Sequence, residues 1–191
     1  MLLFAGRPGV HGRVKMARMD GGRRDAQVKS FWCNVTIPSD IRILPFEERF
    51  GDAFAELNYA WINALFEVEP EDEWMLGNPR EAVIEPGGEI FLALDGTEVV
   101  GTAAVLAHDD ESAEIAKMAV APSHQGCGIS NLLMEACLAH ANRMGVKKVL
   151  IVTNSELAPA LGLYMKYGFR ITGHGDGNPW ARGNLDMELE L

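Results

Sequence analysis

Residues 113–130 read AEIAKMAVAPSHQGCGIS: an apolar strand, a turn carrying Gly126 and Gly128, and the opening of a helix. No other stretch limits the fold as much. A glycine lacks a Cβ, so both positions can take a positive φ or let a ligand approach the backbone. The helix that follows offers unpaired N–H groups at the positive end of its dipole. The junction is therefore a seat for an anion such as a phosphate. Its helix is well marked, since Ile129, Leu132, Leu133, Ala136, Cys137, Ala141 and Met144 recur at helical spacing and Gly145 stands where a glycine stops a helix.

The rest of the chain reads outward from this junction. A strand over 41–44 opens the folded part, and a helix over 47–67 follows, with Phe50, Phe54, Leu57, Trp61 and Leu65 tracking one face. Pro70 is placed as the first residue of a second helix that ends at Gly77-Asn78-Pro79. The acids around its start, Glu67, Glu69, Glu71, Asp72 and Glu73, read either as a hydrated helix terminus or as an attraction for an amine. EIFLALDGTEVVGTAAVLA then reads as two strands joined by an Asp95-Gly96 hairpin turn. A second turn at Asp109-Asp110-Glu111 delivers residues 114–120 as a third antiparallel strand, central in the sheet. Residues 146–153, VKKVLIVT, nearly all apolar toward their end, read as a strand buried on both faces, and because a helix intervenes it runs parallel to its predecessor through a right-handed crossover. A helix over 157–167, a short strand over 169–172, a loop of Gly, Asn and Pro, and an alternating strand over 185–191 complete the chain.

With 191 residues, 48% of them hydrophobic, the chain has the material for one core and one domain. Residues 1–35 are rich in Gly and Arg without sustained periodicity and read as a disordered basic leader, a loose targeting segment or residues upstream of the biological start; residues 36–191 form the folded domain. The net charge of −10 is divided unevenly, +5 over residues 1–30 and −15 beyond them, which argues against nucleic acid as a partner. Cys33, Cys127 and Cys137 are odd in number and spaced neither as a disulfide framework nor as a metal site, consistent with a reducing, cytoplasmic location. No run is long enough to span a bilayer, so no membrane association is expected.

The run Gln125-Gly126-Cys127-Gly128-Ile129-Ser130 resembles the Gln/Arg-x-x-Gly-x-Gly/Ala signature of the GCN5-related N-acetyltransferase (GNAT) superfamily, with Ser130 where the last small residue is usually Gly or Ala. Two flanking pieces strengthen the resemblance: the IAKMAV strand before it and Leu163-Tyr164-Met165-Lys166-Tyr167-Gly168-Phe169 after the next strand. The resemblance implies an α/β fold whose central sheet, of about six to seven strands, is mixed but mostly antiparallel, flanked by helices and splayed at one parallel strand pair. It implies acetyl-CoA as co-substrate and no metal. The pyrophosphate would lie on the N–H groups of Gln125, Gly126, Cys127, Gly128, Ile129 and Ser130, and the pantetheine arm along Met118, Ala119 and Val120 of the first strand, as an added strand. Asn154 matches a polar position that holds the pantetheine or acetyl end, and reads equally as a turn residue. Where the family usually carries an Asn this chain has Leu157, so that contact is lost or moves to Asn154.

Amide formation from a thioester needs a neutral amine, a polarised carbonyl and a proton for the leaving thiolate. By resemblance Tyr164 aligns with the family's general acid, Glu114 with the general base of the histone-acetyltransferase branch, and the Met118 N–H with the donor to the thioester carbonyl. Tyr167 reads as a packing residue and His140 as a satisfied structural histidine, while His124 precedes the loop as a phosphate contact or a turn residue; His108 and His174 fall in loops near the acceptor side. The expected activity is N-acetyl transfer from acetyl-CoA to a small amine in a ternary complex. A protein or peptide acceptor, a non-catalytic acyl-CoA sensor of the same fold, and a nucleic-acid-associated regulator acting through the leader are the alternatives. Dimerisation through the last strands is common in the superfamily.

Overall fold

The computed structural model describes residues 41–174 and 182–191; the basic leader and most of the loop before the last strand lie outside them. Seven strands form one sheet in the order β1-β2-β3-β4-β5-β7-β6. They are β1 (Ile41–Pro45), β2 (Glu89–Asp95), β3 (Glu98–Ala107), β4 (Ser112–Val120), β5 (Lys148–Thr153), β6 (Arg170–Gly173) and β7 (Leu185–Glu190). Every neighbouring pair is antiparallel except β4 and β5, which run parallel. The meander expected over residues 89–120 is present, its first hairpin closing with Asp95 opposite Glu98. β4 is the fourth strand of the seven, central as its apolar composition demands.

Helices cover both faces of the sheet. On one side α3 (Ile129–Met144) and α4 (Ala158–Lys166) bury Leu133, Met134, Cys137 and Tyr164 against Val105, Ile115 and Ile151. On the other, α1 (Gly51–Leu65) and α2 (Pro70–Gly77) close over Ile90, Leu92 and Ala104. A π-helical turn, Arg80–Ile84, unmarked by any sequence signal, buries Val83 in this second core.

Two expectations shift. The first helix starts as a 3₁₀ turn, Glu48–Phe50, and its buried seam is Phe50, Phe54, Asn58 and Ile62 rather than Phe50, Phe54, Leu57, Trp61 and Leu65. A polar residue takes a core position because its side chain is satisfied locally: Asn58 Nδ2 donates to the Phe54 carbonyl at 2.9 Å and Oδ1 accepts from Trp61 Nε1 at 3.2 Å. Leu65, displaced from the seam, is exposed. β5, expected to be buried on both faces, alternates instead, with Val149, Ile151 and Thr153 buried and Leu150 and Val152 only partly covered. Val152 faces a cleft, not a helix.

No helix among the described residues is long and apolar enough to cross a membrane. The close packing of the meander yields a prediction at Gly88, whose N–H donates to the Val83 carbonyl at 2.9 Å. A Cβ there would stand 2.1 Å from the Val105 carbonyl oxygen and 2.8 Å from that of Val83, both backbone atoms that cannot rotate away. G88A is expected to lose about 2 kcal/mol in urea unfolding. G51A, at a helical position with nothing within 4 Å of the added methyl, should be neutral or gain up to about 1 kcal/mol.

Candidate functional site

The parallel pair opens almost as soon as it forms. β4 and β5 pair at Ser112↔Lys148, Ala113↔Val149 and Glu114↔Leu150, and then part. From Ile115 to Val120 the edge of β4 that faces β5 has no strand beside it among the described residues, although its other edge stays paired to β3 through Gly101↔Val120. A cavity of about 250 Å³ fills the gap, bounded by Glu114, Met118, Val152, Asn154, Tyr164 and, from the end of α1, Trp61 and Phe66. A second hollow of about 460 Å³ shares Met118, Ala119, Val120, Gln125, Leu157, Ala160 and Tyr164 with the first and continues to Gly126, Gly128 and Ser130. The two form one groove from the sheet to the start of α3.

That start has the form of an anion seat. Gly126 and Gly128 lie at φ +74° and +80°, the left-handed region open to glycine at no steric cost, and Gly128 is the N-cap of α3. Among the described residues the N–H groups of Gly126, Cys127 and Gly128 have no hydrogen-bond partner, and those of Ile129 and Ser130 fall in the first helical turn, which has no carbonyl to bond. Gln125 does not point out of the loop: its Nε2 donates to the Val120 carbonyl at 3.1 Å, tying the loop to the end of β4. His124 is a turn residue held by Ser123 at 2.8 Å and by Asp95 at 3.3 Å, on the rim of the hollow.

The structure brings Tyr164 and Glu114, far apart in sequence, to the same cavity. Tyr164 is 9% exposed, and among the described residues its hydroxyl makes no hydrogen bond. Burial raises its pKa to about 12, so it is protonated at neutral pH and able to donate. Glu114 is buried and bonded at 2.8 Å to Nε2 of the half-exposed His108. That hydrogen bond, against the opposing effect of burial, raises the pKa of His108. Tyr167 is more than packing: its hydroxyl donates to Glu135 Oε1 at 3.0 Å and also lies 3.3 Å from the Asn131 carbonyl, tying the end of α4 to α3. His174 is exposed, and His140 is only half satisfied: Nδ1 meets Arg143 Nη2 at 3.4 Å, but among the described residues its buried Nε2 lacks a partner, and its ring stands edge-on to Phe91 at 5.8 Å.

Asn154 acts as a turn residue. Its Oδ1 accepts from the Glu156 N–H at 2.8 Å and its Nδ2 donates to the Arg182 carbonyl at 2.7 Å, so both halves of the amide are engaged while the residue lines the cavity. The acids at the start of α2 are also not all hydrated. Asp72 is 0% exposed and Glu69 is largely buried. Asp72 receives Arg182 Nη1 and Nη2, each at 2.7 Å, and Lys117 Nζ at 2.5 Å. Glu69 receives Arg182 Nη1 at 2.9 Å. Burial pushes the Asp72 carboxyl up, but the hydrogen bonds from Arg182 and Lys117 together outweigh it and hold the group below the ordinary aspartate range. In Lys117 burial prevails over the pull of Asp72, and its pKa is lowered. Sequence reasoning missed both cations. The one available signal was a lysine inside the apolar strand IAKMAV.

The model of the Acetyltransferase (GNAT) family matches residues 47–169. A mycothiol acetyltransferase of Thermomonospora curvata is 29% identical over 142 residues, which are 71% of this chain and 46% of that protein. The chain thus spans less than half the length of the curated relatives it matches. Among solved structures, a GNAT acetyltransferase of Staphylococcus aureus superposes with a TM-score of 0.73 at 18% identity, over 79% of this chain and 99% of that one. A GNAT acetyltransferase of Elizabethkingia anophelis with acetyl-CoA bound superposes with a TM-score of 0.51 at 28% identity, over 81% and 100%. The parted β4–β5 pair, the glycine-capped start of α3 and the family match over most of the described core agree: the chain belongs to the GNAT acetyltransferase family.

Proposed function

We propose that this chain transfers the acetyl group of acetyl-CoA directly to the amine of a small molecule, with both substrates held in the groove at once. The observation that carries the reading is the parting of β4 from β5 beyond Glu114, which leaves a bare strand edge leading to a bare helix N-terminus, with a buried carboxylate and a buried phenol facing the space between. A pantetheine arm has amides to pair with such an edge, and a pyrophosphate fits N–H groups at a helix start. In this reading the Met118 and Val120 backbone takes the arm and residues 125–130 take the pyrophosphate.

The chemistry divides among three groups. Glu114 accepts a proton from the incoming ammonium, leaving a lone pair to attack the thioester carbon. The Met118 N–H holds the carbonyl oxygen as it gains negative charge. As the C–N bond forms and the C–S bond breaks, the Tyr164 hydroxyl gives its proton to the departing sulfur. Burial keeps this phenol protonated at neutral pH, so its proton is available when the thiolate forms, although the raised pKa makes it a weaker acid than a free phenol. A small acceptor is favoured by the modest size of the cavity and its apolar wall of Trp61 and Phe66, and the mycothiol acetyltransferases among the relatives bear a name of that kind.

Calorimetry with acetyl-CoA, followed by thiol release on titrating a panel of amines, tests the reading. Binding with acceptor-dependent release is expected; tight binding without release from any amine would convert the protein to a sensor, and no binding would remove the reading altogether. Y164F should lower kcat by about 10²-fold or more while acetyl-CoA affinity changes by less than about threefold. E114Q should lower kcat/KM by a comparable factor.

His108 gives a pH prediction that needs no substrate. A histidine whose folded pKa is raised contributes stability that is complete below its unfolded pKa, about 6.5, and is lost as pH rises through the higher folded value. The thermal midpoint should therefore fall from pH 6.5 upward more in the parent than in H108Q. The difference should be small, because the His108 side chain is 45% exposed and screened.

A further inference from the structure

Lys117 is the single non-glycine residue with positive φ among the described residues, at +51°. It sits where β4 slips against β3: Ala104 lies opposite Ala116 and Thr102 opposite Ala119, so that Lys117 and Met118 together face Ala103. This is a β-bulge whose left-handed position is one that glycine usually fills. A lysine there carries a steric penalty between its Cβ and the following carbonyl. Something outside the strand has to hold it.

What holds it is the start of α2. Lys117 Nζ reaches Asp72 Oδ1 at 2.5 Å, and the lysine side chain is 4% exposed. Asp72 is itself fixed from two other directions: its Oδ2 accepts the Glu69 N–H at 3.1 Å in a capping box, and the Arg182 guanidinium grips both its oxygens. A lysine stem stretched to an immovable carboxylate fixes its own Cα, and so the turn of the backbone there. The next residue along is Met118, at the centre of the β4 edge that borders the groove.

We propose that Lys117 is a positioning residue for the acyl donor: its ion pair with Asp72 holds the β4 bulge in the left-handed form that turns the Met118–Val120 edge toward the gap. The inference rests on the reading of that edge as the donor's seat. It gives Asp72, a residue in the first turn of α2, control over donor binding.

The test is acetyl-CoA affinity by calorimetry on five purified proteins: the parent, K117A, K117G, D72N and the double variant K117G/D72N. K117A removes the anchor and keeps the Cβ, so the bulge relaxes and affinity should fall by roughly 5- to 30-fold. K117G removes the anchor and the penalty together, and should stay within about threefold of the parent. D72N should weaken binding when Lys117 is present and add no further loss in the K117G background, a comparison that holds even where K117A fails to fold. If K117A binds as the parent does, if K117G is as weak as K117A, or if D72N costs the same in both backgrounds, the proposal is wrong. Absence of binding by the parent would instead overturn the donor-seat reading itself, which keeps the two failures apart.

Discussion

The structure turns on a hydrogen-bond ladder that is allowed to stop. β4 and β5 share three paired positions, enough to set their direction, and then separate while still inside the sheet. Ordinarily an open ladder within a sheet is expensive, because each buried N–H or C=O without a partner costs about 1–3 kcal/mol. Here the opening lies against a groove, so the unpaired edge is at the disposal of a ligand. The helix that carries the chain from β4 to β5 starts at the mouth of the same opening. Crossover geometry thus brings two kinds of unsatisfied backbone, a strand edge and a helix N-terminus, to one place from consecutive elements.

Side chains then define the other wall. Two carboxylates and two cations meet where α2, β4 and the segment before β7 converge, and the balance of charge explains why a burial of this kind is tolerable. Each ion alone would lose several kcal/mol of solvation, but Asp72 is bonded by the Glu69 amide and by both cations. Such a cluster contributes shape more than stability. It locks three separate segments in register, which apolar contacts of similar volume would do less selectively.

The backbone parts of this arrangement were legible in the sequence. Alternation and turn residues marked the meander, the apolar period and flanking glycines marked α3, and the glycine pair marked the anion seat. Side-chain meetings were less legible, for reasons that differ from case to case. His108 and Glu114 lie across a hairpin whose register, Leu106↔Glu114, sets them near each other, so that pair was in principle within reach of the pattern. Arg182 and Asp72 are 110 residues apart and meet only because β7 inserts between β5 and β6, an order that nothing local encodes. The Asn58 seam was hidden because apolar periodicity discounts an amide that bonds within its own helix.

The division between backbone and side-chain recognition also accounts for how far sequences diverge around this fold. A seat made of N–H groups and a strand edge asks for two glycines, a small residue and a strand that parts from its neighbour. The Staphylococcus aureus structure keeps the architecture at 18% identity. The acceptor wall has no such economy. Trp61 and Phe66 at the end of α1, Glu114, Lys117 and Arg182 line the groove from elements other than the glycine-capped helix, with His108 and Asp72 bonded behind them. On the proposed reading, acceptor choice would be set where α1, α2 and the segment before β7 approach β4. Because Lys117 borders the groove and is paired with Asp72, its proposed role would make a change at Asp72 act on the donor strand as well as on α2.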